Sequence, residues 1–453
     1  SSDDIYRTGY AFMGLLHYVY DQRYLITATV RRDGYSAFGL ANPRATFPAI
    51  ALGWVFSEEK FLHRPDWFEY GKLRLSWGKN GNRAVGTYAA FMQLSPRKYI
   101  YVDPSTGELI TANTFYAYSM ANPDLKWEST TSWNAGMDLT FLQGRLSTSV
   151  DVYKKITTDL LVSRELPSLI GYSSVMSNIG EVQNTGVELS LNSTNIRTDK
   201  FTWRTSLNLA YNKNKITHLY GIMEDVKDAD GNVIGQREAD DIKNKRFIGH
   251  DIDEIWDYKV VGIWQEEDRE EAAKYGQQPG DVHLLDKDMN YKYDNTDKEF
   301  MGTRMPRLRG SMRNDFTLFK NLNISFNMYS YIGHKQSSAR FTNDNALLNV
   351  TNQIKCDYWT PENRNNEYPR LANKKPAGVS YSIYKNASFL RFDNISIGYT
   401  FPKKLIEPLR IQNLNVNATM KNAGYISGWP GYDPENSEKN TPRVIYFGIN
   451  LTL

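Results

Sequence analysis

The residue pattern with the clearest chemical meaning is a twelve-residue segment with candidate oxygen donors at positions 1, 3, 5, 7, 9 and 12. This is the ligand spacing of an EF-hand loop, which wraps the chain around one Ca²⁺ ion. Tyr291 stands where the sharp turn prefers glycine, and the residue at position 12 is Asp where a bidentate Glu is usual. Two interpretations therefore stay open, a calcium site or a solvated turn rich in Asn and Asp. The candidate ligands are Asp286, Asp288, Asn290, Lys292 (through its backbone carbonyl), Asp294 and Asp297.

The other titratable residues show no pattern that indicates catalysis. The six histidines have no spacing typical of metal ligands, and we expect them to be hydrogen-bonded or solvent-facing. The sequence has no nucleophile elbow, no Walker loop and no dinucleotide fingerprint. Adjacent carboxylates such as Glu58-Glu59 and Glu266-Glu267 indicate charged loop surfaces, and residues 266–275 are typical of a short surface helix. We expect a protein that is not an enzyme.

The composition excludes some functional classes. The 453 residues include 54 basic and 51 acidic ones, a formal net charge of +3, which argues against nucleic-acid binding. A lone cysteine, Cys356, excludes an internal disulfide framework. No stretch approaches the roughly 18 apolar residues of a membrane helix, and the mean hydropathy is −0.55. A membrane β-barrel remains compatible with these values, because its apolar residues occupy only every second position and its interior is polar.

Strict alternation of apolar and polar residues is the strongest local signal. In 443–453, Ile445, Phe447, Ile449 and Leu451 share one face, with polar residues between them. Many such segments are about ten residues long, enough to cross a bilayer, whereas soluble strands are usually about 5–6 residues. A soluble propeller is the alternative, but no blade-length repeat is present. The alternating segments lie near 7–20, 24–31, 50–54, 73–78, 133–141, 149–153, 187–192, 201–211, 306–318, 321–333, 388–401 (with a bulge near Asp393-Asn394), 410–420 and 443–453.

The connections between these segments alternate in length, which is typical of outer-membrane barrels with short periplasmic turns and long extracellular loops. Residues 252–264 look like a strand, but counting them would break the alternation, so we place them inside a long extracellular loop, 214–305. The short connections are Asp21-Gln22, 56–67, 142–144, 193–200, Lys320-Asn321 and 402–408, and the other long loops are 33–44, 81–126, 158–180, 334–387 and 421–442.

The count gives an all-β protein with about 13 antiparallel transmembrane strands. Bacterial single-chain barrels have an even number of strands, and an unclosed sheet would leave costly unpaired edges in lipid. We therefore expect the chain to lack the first strands of its barrel, with another segment or chain supplying them.

Motifs in order along nearly the whole chain resemble the C-terminal part of the SusC-like TonB-dependent outer-membrane transporters of Bacteroidota. Singly each motif is weak, but their order and loop spacing together are specific. They are Arg31-Arg32-Asp33-Gly34, 47–54, Trp77-Gly78-Lys79-Asn80-Gly81-Asn82, 122–128, 178–189, Tyr358-Trp359-Thr360-Pro361-Glu362-Asn363, Ala387-Ser388-Phe389-Leu390-Arg391, 399–402 and Gly431-Tyr432-Asp433-Pro434-Glu435.

The resemblance implies more than the pattern alone. It implies a 22-stranded barrel in outer-membrane lipid, an N-terminal plug, a SusD-like surface lipoprotein as a lid, and energy from the TonB complex acting on an N-terminal segment. The plug, that segment and about nine strands lie outside this chain. The family also often carries a calcium-type motif in the loop that holds Asp286.

The expected function is active import of a large nutrient, a glycan or an oligopeptide. The alternative is a surface glycan-binding or adhesin module without transport. Aromatic residues of the predicted extracellular loops would stack on substrate, pack against the lid or lie in the interfacial belt, and the sequence does not choose between these roles. They are Tyr99, Tyr101, Tyr116, Tyr118, Tyr358 and Trp359.

Overall fold

The computed structural model describes residues 5–166, 168–172, 174–228, 230–338, 341–342, 357–436 and 439–453. Cys356 and part of the predicted loop 334–387 lie outside these residues. Within them, no helix is both long and apolar enough to span a membrane. The chain divides into two compact units, one made of 1–144, 149–187 and 213–252 and the other of 145–148, 188–212 and 253–453.

Most of the regular structure is β-strand. The strands are β1 (Gly9–Tyr20), β2 (Tyr24–Tyr35), β3 (Arg44–Trp54), β4 (Phe68–Asn82), β5 (Gln93–Val102), β6 (Leu109–Met120), β7 (Glu128–Phe141), β8 (Leu146–Thr158), β9 (Leu161–Glu165), β10 (Ser174–Asn178), β11 (Glu181–Arg197), β12 (Phe201–His218), β13 (Met223–Lys227), β14 (Val233–Glu238), β15 (Glu254–Tyr258), β16 (Val260–Ile263), β17 (Val282–Leu284), β18 (Lys298–Thr303), β19 (Leu308–Leu318), β20 (Leu322–Ile332), β21 (Lys335–Ser337), β22 (Tyr384–Asn386), β23 (Phe389–Thr400), β24 (Asn413–Ser427) and β25 (Val444–Thr452). The α-helices are α1 (Arg269–Lys274) and α2 (Lys403–Ile406), and 3-10 turns cover Phe56–Glu58, Ser168–Ile170, Glu266–Asp268, Asn295–Asp297 and Glu407–Leu409.

Thirteen strands of the described residues form one sheet in the order β1-β2-β3-β4-β7-β8-β11-β12-β19-β20-β23-β24-β25. The sheet is antiparallel, and its strands have 9 to 18 residues. The predicted number of strands and their direction are therefore confirmed. Strands β1 and β25 stand at the two ends of the order, so this part of the chain forms a partial barrel.

Two of the predicted tight turns show how the hairpins close. Asp21 and Gln22 have φ of 48° and 54°, and Arg23 N–H donates to Tyr20 O at 3.1 Å. Positive φ at both central residues is the type I′ geometry, whose twist matches that of the strands. The turn predicted at Lys320-Asn321 is wrong by one residue: Phe319 and Lys320 are the central pair, with φ of 51° and 66°.

The predicted bulge is confirmed at Asp393. In the pairing of β23 with β20, Asn394 opposes Asn327 and Phe392 opposes Met328, so Asp393 has no partner. The pairing with β24 skips the same residue. Because Asp393 is the extra residue of a bulge, Phe392 before it and Ile395 after it lie on the same apolar face of the sheet.

The long connections hold secondary structure of their own. In the first unit they contribute a four-stranded sheet of β5, β6, β10 and β9. In the second unit, β15 pairs with β18 and β16 pairs with β17. The segment 252–264 is thus outside the large sheet, as predicted, but it forms two short strands rather than one. Residues 266–274 form the predicted surface helix, where Lys274 Nζ lies 2.6 Å from Glu271.

In the first unit, the two faces of the large sheet differ in chemistry. Cross-strand pairing places Tyr18, Ile26, Leu52 and Leu75 in one row. Leu52 and Leu75 are each 46% exposed, so this apolar row is on the surface and not in a core. The neighbouring residue Arg74 lies on the opposite face, which is polar. We call these the apolar and polar faces.

The second unit has the same two-faced arrangement. Ile324, Ile397, Ala418 and Phe447 pair directly across four strands, and Phe447 is 81% exposed. The adjacent row on the polar face is Ser325, Ser396, Thr419 and Tyr446. A soluble fold would bury one of these rows, because exposed apolar patches of this extent mark an interaction surface.

The buried apolar clusters lie among the long connections and the strand ends beside them. One cluster in the first unit packs Phe38, Phe47, Leu125 and Trp127. The main cluster of the second unit is built from Tyr258, Val282, Leu284, Phe341, Tyr381, Ile383, Ala387 and Trp429. The connections therefore fold as compact structures of their own.

Candidate functional site

The polar face of the first unit carries a fixed charge network. Arg74 on β4 donates to Asp138 on β7 at 2.8 and 2.9 Å, and to Asp151 on β8 at 2.8 and 3.0 Å. Ser149 also accepts from Arg74 at 3.0 Å and donates to Asp138 at 2.8 Å. A Cβ at Gly136 would lie 2.4 Å from Asp151 and 2.7 Å from Arg74, so glycine makes room for the guanidinium against the sheet. Such a wall suits water, not lipid.

In the second unit, a cavity of about 480 Å³ borders the polar face. Arg309 and Tyr331 are cross-strand partners, and the guanidinium lies 5.4 Å from the Tyr331 ring centre. Tyr329, Asn208 and Glu188 also line the cavity. Aromatic rings stack on sugar rings or peptide side chains, while Arg and Glu bind carboxylate and ammonium groups. The wall therefore offers contacts for a polar solute.

A buried ion pair, which the sequence analysis did not single out, ties the last long connection to the polar face. Arg391 on β23 is 2% exposed and Asp433 is 1% exposed. Arg391 Nη2 donates to Asp433 at 2.5 Å, and its Nε lies 2.8 Å from Glu435. Tyr329 OH donates to the same Glu435 carboxylate at 2.6 Å. Arg391 and Asp433 both belong to motifs that carry the family resemblance. This membership was the signal by which the sequence could have pointed to the pair.

The predicted calcium segment brings three of its carboxylates together. Oxygen atoms of Asp286, Asp288 and Asp297 lie within 4.8 Å of one another, and among the described residues this is the one cluster of His, Cys, Asp or Glu close enough for a shared metal. Asp297 is fully buried and accepts from the Lys287 and Asp294 N–H groups at 2.9 Å. Clustered carboxylate oxygens are the donor set of a hard cation such as Ca²⁺.

The other three candidate ligands have different roles in the structure. The Asp294 carboxylate begins the 3-10 turn 295–297, where it accepts from Thr296 N–H and Oγ1 at 2.7 Å. Asn290 Oδ1 accepts from the Lys292 N–H at 2.8 Å, and the Lys292 side chain is exposed. None of these contacts uses all the acceptor capacity of the Asp294 or Asn290 oxygens.

The backbone at Tyr291, the sixth residue of the segment 286–297, adopts the geometry of an EF-hand turn although the residue is not glycine. Tyr291 has φ of 66°, the left-handed conformation for which EF-hand loops use glycine. Its N–H donates to Asp286 at 2.9 Å, and its ring lies 5.6 Å from that of Tyr275. The loop therefore adopts the sharp turn, and ring contacts help to hold the unfavourable conformation.

Hydrogen bonds lower the pKa of two of the loop carboxylates, Asp286 and Asp294. Burial would raise the pKa of Asp286, but hydrogen bonds from Tyr275 OH and the Tyr291 N–H hold it below the usual value. Burial and the hydrogen bond to Asp286 raise the pKa of Tyr275. The Thr296 hydroxyl and N–H lower the pKa of Asp294. Asp286 and Asp294 therefore keep their negative charge at neutral pH, as ligands of a cation require.

The loop aromatics separate into two groups. Tyr99, Tyr101 and Tyr116 lie on one face of the β5–β6 hairpin, exposed, with Arg97 4.6 Å from the Tyr116 ring centre. Trp359 is 4% exposed and donates to Gln265 Oε1 at 3.0 Å. Trp359 is therefore a packing residue, whereas the tyrosines are available for contacts.

Aromatic side chains also gather beside the short turns of the first unit. Trp54 lies 5.9 Å from Phe56, and Phe56 stacks on Phe68 at 6.1 Å. Trp67 stacks on Phe141 at 6.0 Å. Girdles of this kind flank the apolar band of membrane barrels at the level of the lipid headgroups.

The TonB-dependent receptor-like β-barrel family model matches residues 1–423. The chain belongs to this family. It is a transporter family of the outer membrane, not an enzyme family, so the expected localisation and the expected absence of enzymatic function are confirmed by membership. The resemblance drawn from the motifs is confirmed as well.

The relatives come from Bacteroidota. The chain is 32% identical over 467 residues to the TonB-dependent receptor SusC of Bacteroides thetaiotaomicron, covering 98% of this chain and 43% of that protein. It is 29% identical over 432 residues to the TonB-dependent receptor P3 of Formosa agariphila, covering 94% and 42%. The chain thus spans less than half the length of these relatives.

Solved structures show the same fold. The structure of the RagAB peptide transporter matches with a TM-score of 0.77 at 22% identity, covering 98% of this chain and 48% of that chain. The open-open state of the RagAB peptide importer gives the same TM-score and covers 99% and 47%.

Proposed function

We propose that the chain forms the C-terminal part of the barrel of a TonB-energised importer for a large nutrient. The observation that carries this proposal is the two-faced sheet: its apolar rows are exposed, while ion pairs such as Arg74–Asp138 line the other face. The charged rows fit a water-filled interior through which a polar solute can pass, and the exposed apolar rows fit lipid. In this assignment the apolar face contacts outer-membrane lipid, the short turns are periplasmic and the long loops, including 214–305, are extracellular.

The importer needs parts that lie outside this chain. The two sheet ends, β1 and β25, must pair with further strands, because unpaired strand edges are costly in lipid. We propose that the remaining strands and a plug come from the rest of the same protein or a separate chain. A SusD-like lipoprotein covers the extracellular opening, and the TonB complex acts on the missing N-terminal part. The SusC and RagAB matches support this assembly.

The substrate class is a glycan or an oligopeptide. The cavity of about 480 Å³ beside Arg309 and Tyr331 combines a ring with charged groups, which suits either class. RagAB is described as a peptide transporter.

An uptake assay tests import. Cells that carry the full-length gene, a deletion, or the deletion complemented with a Tyr331→Ala variant receive fluorescent oligopeptides and oligosaccharides in separate cultures. We expect protonophore-sensitive depletion of one pool, lost in the deletion and reduced about fivefold by the variant, because stacking contributes about 1 kcal/mol. Equal depletion of both pools in all strains would contradict the proposal.

A surface glycan-binding or adhesin module remains the alternative, and one measurement separates it from import. Such a module would retain ligand on the cell surface without delivering it inside. Protease added to intact cells after loading would then release all of the label. Import predicts that most of the label stays protected.

We also propose that the loop 286–297 binds Ca²⁺. The three converging carboxylates and the left-handed turn at Tyr291 support it. Bound calcium would neutralise the carboxylates and hold the loop closed, and we assign it no part in the transport step.

Terbium luminescence tests the calcium site on the full-length protein, because Tyr275 and Tyr291 lie beside the cluster and can sensitise a bound Tb³⁺ ion. We expect luminescence that Ca²⁺ displaces and that Asp286→Asn reduces at least tenfold. Asp228→Asn is the control, since that carboxylate accepts the Asp230 and Asn232 N–H groups in a turn of similar composition. Equal luminescence in Asp286→Asn and wild type would refute the site.

A further inference from the structure

The apolar face of the first unit contains a groove of about 380 Å³ that crosses β1 to β4 near their short turns. Its walls come from two neighbouring cross-strand rows. Tyr18, Ile26, Leu52 and Leu75 form one row, and Tyr20, Tyr24, Trp54 and Leu73 form the next. Each of these eight side chains borders the groove. The groove therefore opens on the surface that faces hydrocarbon in the proposed orientation.

A buried carboxylate fixes the aromatic end of the groove. Glu59 is only 8% exposed. Its Oε1 accepts from Tyr24 OH at 2.5 Å and from Trp54 Nε1 at 3.0 Å, and Arg23 Nη1 donates to Oε2 at 2.8 Å. Both rings are therefore tied by their polar tips to one buried carboxylate. These hydrogen bonds restrict rotation of the two rings that border the groove.

We propose that this groove binds one acyl chain of a phospholipid from the membrane leaflet nearest the short turns. The inference rests on the proposed membrane orientation of the sheet. The lining is apolar, as an acyl chain requires, and the ring tips of Tyr24 and Trp54 lie at its end, where amphipathic aromatics meet headgroups. A preformed groove binds more tightly than a flat surface, because little side-chain freedom is lost on binding.

The position of the groove favours lipid over a protein strand as its occupant. Ile26 and Leu52 lie on β2 and β3, which already pair on both sides within the sheet. A strand that extends the sheet would pair with β1 and would add its side chains beyond Tyr18 and Tyr20. The middle of the groove therefore stays open to the bilayer.

Retention of lipid by the full-length protein tests the proposal. The protein is extracted from membranes in mild detergent, and native mass spectrometry counts the phospholipid molecules that it keeps. Leu52→Trp and, separately, Ile26→Trp fill the groove with a side chain that the lipid-facing surface tolerates. Ile397→Trp, on the apolar face of the second unit, is the matched control.

We expect one phospholipid on the wild type and on Ile397→Trp, with occupancy reduced at least fivefold in both groove variants. Equal occupancy in all four proteins would overturn the proposal, as would a wild type without lipid. Dimers that only the groove variants disrupt would show that a second copy fills the groove, which also overturns it. The assay involves no transport, so loss of uptake in a strain whose protein retains lipid would count against import alone.

Discussion

Loss of the buried Arg391 guanidinium should release the last long connection from the polar face. In Arg391→Met the Asp433 carboxylate stays almost fully buried but loses its cationic partner at 2.5 Å. Breaking a buried ion pair in this way typically costs about 3–5 kcal/mol. Asp433 keeps the N–H groups of Glu435 at 2.9 Å and Thr441 at 3.3 Å, so we expect the lower end of that range.

About 3 kcal/mol corresponds to roughly a hundredfold increase in local opening, since each 1.36 kcal/mol is about tenfold. Amide hydrogen exchange of the full-length protein measures it at Glu435 and Thr441, whose N–H groups should lose protection by that factor. Arg313→Met is the control, because the Arg313–Asp315 pair is exposed and should contribute less than about 1 kcal/mol. Protection within threefold of wild type in Arg391→Met would refute this reasoning.

Three further predictions concern the connections. Gly39→Ala places a Cβ 1.8 Å from the Pro123 carbonyl oxygen and should lower the midpoint of unfolding in urea. Gly86→Ala is the control, because its Cβ meets nothing within 4 Å and should leave the midpoint unchanged. Equal midpoints in the two variants would contradict this prediction. Tyr291→Gly removes the strain of a non-glycine residue in the left-handed conformation, which should stabilise the loop by about 1 kcal/mol, less the contribution of the lost ring contacts. Slower hydrogen exchange of the Met289 amide would show this stabilisation. Faster exchange would contradict it and show that the ring contacts contribute more than the strain costs. The lowered pKa of Asp286 gives loop stability that is complete above the ordinary carboxylate pKa of about 4 and is lost as the pH falls through the lowered value. Loss of protection at the Met289 amide, whose N–H donates to Asp286, already at the ordinary carboxylate pKa of about 4 would contradict this last prediction.

The strands of the large sheet could be predicted because each carries a period-two pattern. Even the slip at Asp393 was visible, since one extra residue changes the phase of the apolar side chains. The exact position of the turn between β19 and β20 was not visible, and the prediction missed it by one residue. Phe319 and Lys320 adopt positive φ although neither residue favours it, because the strand register imposes the turn.

The connections were harder to read from the sequence. Strands β5 and β6 carry exposed apolar residues on both faces, so their pattern lacks the contrast that marks a strand with one buried side. The Arg391–Asp433 contact joins residues 42 apart through one charged pair, and a single charge in a strand does not indicate its partner. For the calcium segment, spacing predicted which carboxylates could meet, but only the structure shows that Asp294 turns to cap the 3-10 turn.

Spin-label accessibility along β23 tests most directly whether alternate side chains face lipid and water. Labels are placed singly at Ile395, Ser396, Ile397 and Gly398 in the full-length protein in nanodiscs, with Cys356 replaced by serine. We expect residues 395 and 397 to be accessible to oxygen dissolved in lipid, and 396 and 398 to be accessible to a water-soluble nickel chelate. Shielding of 395 and 397 from oxygen, or accessibility without alternation, would contradict the membrane assignment and the import that depends on it.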